Sequence, residues 1–172
     1  MRKLANEELN RLSSEEFKEA DKRKLIIILD NVRSLNNVGS VFRTADAFLA
    51  EAIYLCGITG TPPNNEIYKT ALGADETVNW QYFKNTLEAV EACKQKGYSV
   101  YTVEQAEGSI MLNDFKTPET GLALVFGNEV NGVEADVINA SAACIEIPQD
   151  GSKHSLNISV SVGIVVWQVV KT

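Results

Sequence analysis

Histidine and cysteine are scarce in this sequence, which limits the metal and redox chemistry that it can carry. There is one histidine, His154, and the three cysteines Cys56, Cys93 and Cys144 lie far apart without forming a Cys-x-x-Cys pair. A structural zinc site and a disulfide framework are therefore not expected. Unpaired cysteines are typical of a reducing compartment, so we predict a cytoplasmic protein with no bound metal.

Long hydrophobic segments are missing as well. The sequence is charged from Arg2 onward and has no apolar stretch of the signal-peptide type. The most apolar segment, residues 156–170, contains several polar residues and is short for a membrane span. With 172 residues, of which 45% are hydrophobic, the chain is predicted to have one core and no contact with a membrane.

Three common ligand-binding motifs are absent. The segment Gly151-Ser152-Lys153 lacks the spacing of a phosphate-binding loop. No G-x-G-x-x-G follows the first predicted strand, Leu25–Leu29, which argues against dinucleotide binding and against methyltransferases of the glycine-rich type. No G-x-S-x-G marks a hydrolase serine. The remaining candidates for a site are mostly polar residues that do not ionise readily.

Positive charge is limited and unevenly distributed. The net charge is −7, which argues against a protein that binds nucleic acid mainly through a large excess of positive charge. Residues 1–24 nevertheless hold seven of the sixteen basic residues and only six acidic ones. A small basic surface is compatible with this distribution, whereas a broad one is not.

Apolar runs of strand length alternate with segments of helical periodicity. The aliphatic run Leu25–Leu29 is typical of a strand buried on both faces, and residues 37–49 carry apolar side chains at helical spacing. Further strands are predicted at 52–56, 77–80, 98–103, 121–126 and 144–147, and further helices within 5–20, 64–71, 85–96 and 133–139. This alternation predicts an α/β fold with a mostly parallel sheet flanked by helices.

The last apolar segment, residues 156–170, is ambiguous. Its first nine residues alternate between apolar and polar or small residues, as in a strand. Its length instead favours a buried helix, and nothing local decides between the two.

Polar residues gather in three separate stretches. Taken one by one, they have structural explanations: Asn37 is a suitable helix cap, Arg43 has acidic residues to pair with, Ser155 and Asn157 can cap the last helix, and Gly39 can permit close packing. The order of the three stretches along the chain is more informative than any one of them.

Together, the three stretches resemble the motifs of the SpoU/TrmH class of the SPOUT superfamily, which are RNA ribose 2′-O-methyltransferases that use S-adenosylmethionine. The first runs from Asn37 to Phe48 (NVGSVFRTADAF), the second from Leu124 to Gly132 (LVFGNEVNG) and the third from Ile147 to Val160 (IPQDGSKHSLNISV). Residues 69–74 (KTALGA) are also similar, and the resemblance covers roughly residues 25–170.

The resemblance implies a fold and a set of partners. The sheet would have a C-terminal part threaded into a deep trefoil knot, with a helix from Ser155 onward. Residues 1–24 would form a short N-terminal helical arm, and residues 25–172 a SPOUT methyltransferase domain. The protein would be a homodimer that binds RNA, with the site near the interface and the uncharged last helix buried there.

The resemblance also implies the site residues by position. The S-adenosylmethionine pocket would be lined by Val103, Gly127, Ile147 and Leu156. The catalytic residues would be Asn37, Arg43, Glu129, Ser155 and Asn157. RNA phosphates are expected to contact Lys22, Arg23, Lys24, Arg33, Lys69 and Lys153.

The implied reaction transfers a methyl group to a ribose 2′-hydroxyl of tRNA or rRNA. Arg43 would orient the ribose or a neighbouring phosphate and stabilise the developing alkoxide, because a guanidinium stays charged. Asn37 and Glu129 would hold Arg43, while Ser155 and Asn157 would position the loop and the RNA. The alternatives are an inactive RNA-binding or partner-binding module on the same fold, and an unrelated doubly wound small-molecule binder.

Overall fold

A seven-stranded sheet lies at the centre of the fold. The computed structural model describes residues 1–171, and the side chains of all of these except Asn6 and Glu7. The strands are β1 (Arg23–Asp30), β2 (Ala50–Cys56), β3 (Trp80–Phe83), β4 (Ser99–Val103), β5 (Ile110–Met111), β6 (Leu122–Phe126) and β7 (Cys144–Glu146). Their order is β3-β2-β1-β6-β4-β7-β5, and all six neighbouring pairs are parallel.

Helices cover both faces of the sheet. They are α1 (Ser14–Glu19), α2 (Leu35–Ala47), α3 (Asn65–Ala71), α4 (Ala74–Thr77), α5 (Thr86–Gln95), α6 (Ala135–Ala140) and α7 (Ile158–Lys171), preceded by a short 3-10 helix (Asn6–Leu9). The core on one face includes α2, α3 and α7, and the core on the other includes α5 and α6. Among the residues described, no helix is long and apolar enough to cross a membrane.

Strand β1 has apolar side chains on both faces, so helices have to cover the sheet on both sides. Its side chains alternate between the two cores: Ile27 and Leu29 face one, and Ile26 and Ile28 face the other. All four are fully buried. The prediction of a strand buried on both faces is therefore confirmed.

Capping residues mark the starts of several helices. Asn64 and Asn85 accept hydrogen bonds from the first turns of α3 and α5, as predicted. Helix α2 is different, because the Ser34 side chain accepts the hydrogen bond from the backbone N–H of Asn37. The expectation that Asn37 caps this helix is wrong, and its side chain is left for another contact.

Two strand predictions need correction. The predicted strand at 77–80 is wrong, because Ala74–Thr77 is a helical turn that starts after Gly73, whose φ is +92°. The strand begins instead at Trp80, where parallel pairing with Ile53 of β2 sets the register. Strand β5 was not predicted, since two residues carry no periodicity of their own.

The last apolar segment is a helix, as the resemblance implied, but it begins at Ile158 and not at Ser155, because the Asn157 side chain accepts the hydrogen bond from the backbone N–H of Ser159 in its first turn. Its buried residues are Ile158, Val162, Val165, Val166 and Val169, which follow helical spacing. The alternation in the sequence is overridden because the segment packs in the same core as α2.

Helices α2 and α3 pack closely at Gly39, as its structural explanation predicted. A Cβ atom there would lie 2.2 Å from the carbonyl oxygen of Ile67 and 2.1 Å from the Thr70 Oγ1. Gly39 of the first sequence motif therefore has a packing role.

Candidate functional site

The carboxyl ends of β4, β6 and β7 open into a cavity of about 750 Å³, which we call the main cavity. Because these strands are neighbours and parallel, their carboxyl ends lie at the same edge of the sheet. The predicted cofactor-binding residues Val103, Gly127, Ile147 and Leu156 all line it, as do the predicted catalytic residues Glu129, Ser155 and Asn157. The fold thus brings residues from distant segments to one cavity.

The Glu129 carboxylate joins the turn after β6 to the segment that leads into α2. Its Oε2 accepts a hydrogen bond from the backbone N–H of Arg33 at 3.1 Å. Its Oε1 accepts from the backbone N–H of Ser34 and from the Asn37 side-chain amide, both at 3.2 Å. The Asn37 Oδ1 in turn accepts from the Asn157 Nδ2 at 3.2 Å. Glu129, Asn37 and Asn157 therefore form one hydrogen-bonded chain beside the main cavity.

These contacts keep Glu129 ionised. Partial burial raises the pKa of its carboxyl group, but hydrogen bonds from its own backbone N–H, from those of Arg33 and Ser34, and from Asn37 outweigh this effect and hold the pKa below its ordinary value of 4.5. A carboxylate with this many donors is a weak proton acceptor. Its arrangement suits the orientation of neighbouring groups better than general base catalysis.

Replacing Glu129 by glutamine should remove stability at neutral pH and much less in acid. Glutamine places an NH₂ group where a carboxylate oxygen accepted, so the free energy of unfolding should fall by about 1 kcal/mol at pH 7. Because the pKa is lowered in the folded protein, the contribution is complete above 4.5 and is lost as the pH falls through the folded value. Urea unfolding across this pH range measures the difference, with the exposed Glu119→Gln as control. A difference that does not vary with pH would contradict the assignment.

Asn128 shapes the turn that presents Glu129. Its Oδ1 accepts hydrogen bonds from the two backbone N–H groups that follow Glu129, at 2.8 and 3.1 Å. Its backbone N–H and C=O groups pair with those of Gly132. Its Nδ2 donates to the backbone carbonyl of Asn31 at 2.7 Å, which fixes the turn relative to the end of β1.

The two predicted catalytic residues before α7 differ in their contacts. The Asn157 Oδ1 accepts hydrogen bonds from the backbone N–H and the hydroxyl of Ser159, at 2.9 and 2.7 Å, so Asn157 caps α7 as well as contacting Asn37. The Ser155 hydroxyl lines the main cavity and has no hydrogen-bond partner among residues 1–171. It is available to a bound molecule.

Arg43 lies apart from the main cavity. Its side chain is exposed, and within the part of the chain that the structure describes it forms no hydrogen bond or ion pair with Asp46, Glu129 or Asn37. It lines a second cavity of about 480 Å³, together with Lys69 of α3 and with residues of α2 and α7. The expected support of Arg43 by Asn37 and Glu129 is therefore absent within one chain.

The six cations predicted to contact RNA have different surroundings. The Lys22 amine is turned inward, 4.0 Å from the centre of the Phe17 ring and in contact with two backbone carbonyls at the end of α1, which gives Lys22 a structural explanation. Lys69 is paired with Glu66 at 2.6 Å. The remaining four side chains are exposed: Arg23, Lys24, Arg33 and Lys153.

Glu104 and Gln105 also line the main cavity, although no sequence motif points to them. The Glu104 Oε2 accepts a hydrogen bond from the backbone N–H of Val133 at 3.0 Å, and its Oε1 accepts from that of Gln105 at 2.9 Å. A Cβ atom at Gly132, where φ is +68°, would lie 2.3 Å from the Glu104 Oε2. Polar residues directly after a buried parallel strand are the signal that would have identified this pair.

The cysteines lie in the core rather than at a site. All three are buried and unpaired, and burial raises the pKa of the Cys56 and Cys93 thiols to about 12, which keeps them protonated. Among the described residues, no group of three or more His, Cys, Asp or Glu side chains is placed to hold a metal ion.

Comparison with known proteins identifies the family. The sequence profile of the SpoU rRNA Methylase family matches residues 24–167. The chain belongs to this family. A 23S rRNA (guanosine-2′-O-)-methyltransferase RlmB of Ralstonia nicotianae is 32% identical over 148 residues, which are 86% of this chain and 58% of that protein. The resemblance of the three motifs is therefore confirmed.

Two solved structures of RNA-modifying enzymes share the fold. An AdoMet-bound rRNA methyltransferase from Sinorhizobium meliloti has a TM-score of 0.80 and 27% identity, covering 88% of this chain and 58% of that one. The TrmH/SpoU tRNA modifying enzyme of A. aeolicus has a TM-score of 0.81 at 22% identity, covering 92% and 81%. The predicted α/β fold is thus confirmed. This SpoU-family chain spans 58% of the length of the Ralstonia and Sinorhizobium proteins.

Proposed function

We propose that this chain transfers a methyl group from S-adenosylmethionine to a ribose 2′-hydroxyl of RNA. The observation that carries the proposal is the convergence of the second and third motifs at the main cavity, beside the hydrogen-bonded chain of Glu129, Asn37 and Asn157. The names of the relatives support it: the Ralstonia protein is a guanosine-2′-O-methyltransferase, and the Sinorhizobium structure is AdoMet-bound.

The main cavity fits such a methyl donor. Its volume is in the range of small-molecule sites. Apolar side chains, including Phe126, Ile145 and Ile158, line part of it and offer a surface on which an adenine ring packs. Glu104 and Glu129 add negative charge, which matches the net positive charge of S-adenosylmethionine.

The chain's own residues orient the acceptor. When bound, S-adenosylmethionine supplies a methyl group that is already activated by a positively charged sulfur. Asn37 and Asn157 are hydrogen-bonded to each other, and Asn37 is held by Glu129, so these amides are oriented before RNA binds. The Ser155 hydroxyl is free to bond the ribose. Arg43 lies apart from the main cavity of its own chain, so we assign its role to the main cavity of a second copy, across the interface proposed below. There its permanent positive charge stabilises the ribose oxygen as its proton leaves.

Transfer of labelled methyl groups to RNA tests the proposal. The protein is incubated with labelled S-adenosylmethionine and with RNA from a strain that lacks the gene, and the products are digested to nucleosides. We expect the label in 2′-O-methyl nucleosides. Binding of the donor without transfer to any RNA would favour the inactive binding module instead, and a lack of donor binding in calorimetry would contradict the proposal.

We also propose that two copies associate through one face of α7. Val160, Ile164 and Trp167 recur there at helical spacing and are 49%, 38% and 57% exposed. The Trp167 ring packs against that of Phe48 with their centroids 6.0 Å apart, which extends the apolar surface onto α2. An apolar surface of this kind is typical of a subunit interface. It adjoins the second cavity, where Arg43 lies, so the interface would be close to a predicted catalytic residue.

Replacing Ile164 by aspartate should separate the two copies. A carboxylate in a buried apolar interface loses its hydration without gaining a partner. We expect a dimer for the wild type and a monomer for Ile164→Asp in sedimentation analysis. Ile58 is 63% exposed in the loop after β2, and Ile58→Asp should leave the mass unchanged. A monomeric wild type, or an Ile164→Asp variant that stays dimeric, would refute this interface.

Three finer features of the family complete the proposal. We propose that the segment from β6 to α7 is threaded into a deep trefoil knot, which fits the place of β7 between β4 and β5. We propose that residues 1–24 form an arm on a methyltransferase domain of residues 25–172, with Phe17 anchored in the core.

The buried, unpaired cysteines support a cytoplasmic location.

A further inference from the structure

Residues 148–156, which we call the 148–156 loop, form a single hydrogen bond with the rest of the described chain. Every residue of this loop is exposed, and none lies in a helix or a strand. The one hydrogen bond that the structure describes for these residues runs from the Gln105 Nε2 to the backbone carbonyl oxygen of His154, at 3.0 Å. The loop nevertheless forms part of the wall of the main cavity, through Gln149, His154, Ser155 and Leu156.

The backbone of Gln105 is held in place just after the carboxyl end of β4. The preceding strand, β4, is paired with β6 on one side and β7 on the other. The Glu104 carboxylate accepts hydrogen bonds from the backbone N–H groups of Gln105 and Val133, at 2.9 and 3.0 Å. The Gln105 backbone is therefore held between the turn after β6 and the 148–156 loop, and its side chain spans the gap to the loop.

We propose that Gln105 is a positioning residue that latches the 148–156 loop over the main cavity and thereby sets the affinity for the methyl donor. This role rests on the proposed function, because it assumes that S-adenosylmethionine binds in the main cavity. When the latch is formed, Ser155 and Leu156 are held at the cavity wall. When it is broken, the loop also samples conformations in which that wall is incomplete, and the apparent dissociation constant rises as the competent fraction falls.

Calorimetry on the Gln105→Glu variant measures the effect of the latch. At neutral pH a glutamate has nearly the same size but only accepts hydrogen bonds, so it cannot donate to the His154 carbonyl. One hydrogen bond corresponds to about a three- to tenfold change in an equilibrium constant. We expect the dissociation constant for S-adenosylmethionine to rise by at most about that factor, because only the latched fraction binds the donor. We expect kcat at saturating donor to change much less, because bound donor then closes the loop.

The Gln149→Glu variant separates the latch from the added charge. Gln149 lines the same cavity, and its side chain has no hydrogen-bond partner in the part of the chain that the structure describes. Both variants add one negative charge near a positively charged ligand, which by itself favours binding. We therefore expect Gln105→Glu to bind the donor more weakly than Gln149→Glu.

Trypsin reports on the loop itself, because Lys153 lies exposed within it. Without the donor, cleavage after Lys153 should be faster in Gln105→Glu than in the wild type or in Gln149→Glu, by at most about three- to tenfold. Because one equilibrium governs both quantities, the rise in this rate and the rise in the dissociation constant should multiply to about that factor. Equal dissociation constants in the two variants would overturn the latch. Weaker binding without faster cleavage would also overturn it, since a lost direct contact with the donor would then explain the result. Faster cleavage without weaker binding would overturn its link to affinity. A wild type that binds no donor would instead refute the proposed function, and the cleavage rates would still test the latch.

Discussion

Replacing Arg43 by alanine should reduce methyl transfer to RNA by about 100- to 1000-fold, because the loss of a group that stabilises developing charge typically has an effect of that size. The dissociation constant of S-adenosylmethionine should change little, since Arg43 lines the second cavity and not the main cavity. Lost turnover with intact donor binding is characteristic of a group that acts on the acceptor or in the transition state. Single-turnover transfer of labelled methyl groups and calorimetry measure the two quantities separately.

Two further variants control for charge and geometry. Arg11 is an exposed arginine that lines neither cavity, and Arg11→Ala should keep most of the transfer activity. Arg43→Lys keeps the charge but loses the planar fork of the guanidinium, so we expect an intermediate loss. Full activity in Arg43→Ala would end the assignment of this arginine to catalysis.

Replacing Gly127 by alanine should weaken the binding of S-adenosylmethionine by about tenfold or more. A Cβ atom at Gly127 would lie 2.2 Å from the carbonyl carbon of Gly132 and 2.4 Å from the backbone nitrogen of Val133. Both are backbone atoms, so the turn after β6 has to shift, and the Glu129 carboxylate shifts with it. Overpacking of this kind costs about 1–3 kcal/mol of folding stability, which the turn relieves by moving. Donor binding has to return the turn to the cavity wall, so a similar free energy is lost from binding, and this corresponds to a tenfold change or more over most of that range.

Gly151 offers the matched control. It lies in the 148–156 loop, and a Cβ atom there would meet nothing within 4 Å. Calorimetry gives the two dissociation constants, and thermal unfolding shows whether the variants remain folded. We expect Gly127→Ala to lower Tm as well, and Gly151→Ala to alter neither quantity appreciably. Wild-type affinity in Gly127→Ala would mean that the turn accepts a side chain at this position, contrary to the geometry.

Local sequence signals predicted most of the fold. The aliphatic run Leu25–Leu29 and the caps Asn64 and Asn85 depend on nearby residues only, and the structure confirms all three. The strand near Trp80 was misplaced because its register is set by pairing with β2, which a local pattern does not contain. The last helix was decided by the family resemblance, since packing against α2 overrides its alternating pattern.

The site was predicted less completely, for a similar reason. Position in a motif placed Gly127 and Leu156 at the main cavity, because backbone segments keep their place in a family fold. The motifs did not predict the directions of the side chains. Asn37 contacts Glu129, whereas Arg43 on the same helix lines a different cavity. Gln105 belongs to none of the quoted motifs, so only its place after β4 reveals it.

The hydrogen-bonded chain beside the main cavity also bears on how the protein folds. Its two links, Asn37 to Glu129 and Asn37 to Asn157, join residues 92 and 120 positions apart in sequence. Contacts at such separations form late, because the entropy of closing long loops has to be overcome first. A chain in which α7 has not yet docked lacks the part of the cavity wall that Asn157 and Ile158 contribute. During refolding from urea, the capacity to bind S-adenosylmethionine should therefore appear only in the final kinetic phase, after most of the helical signal has returned.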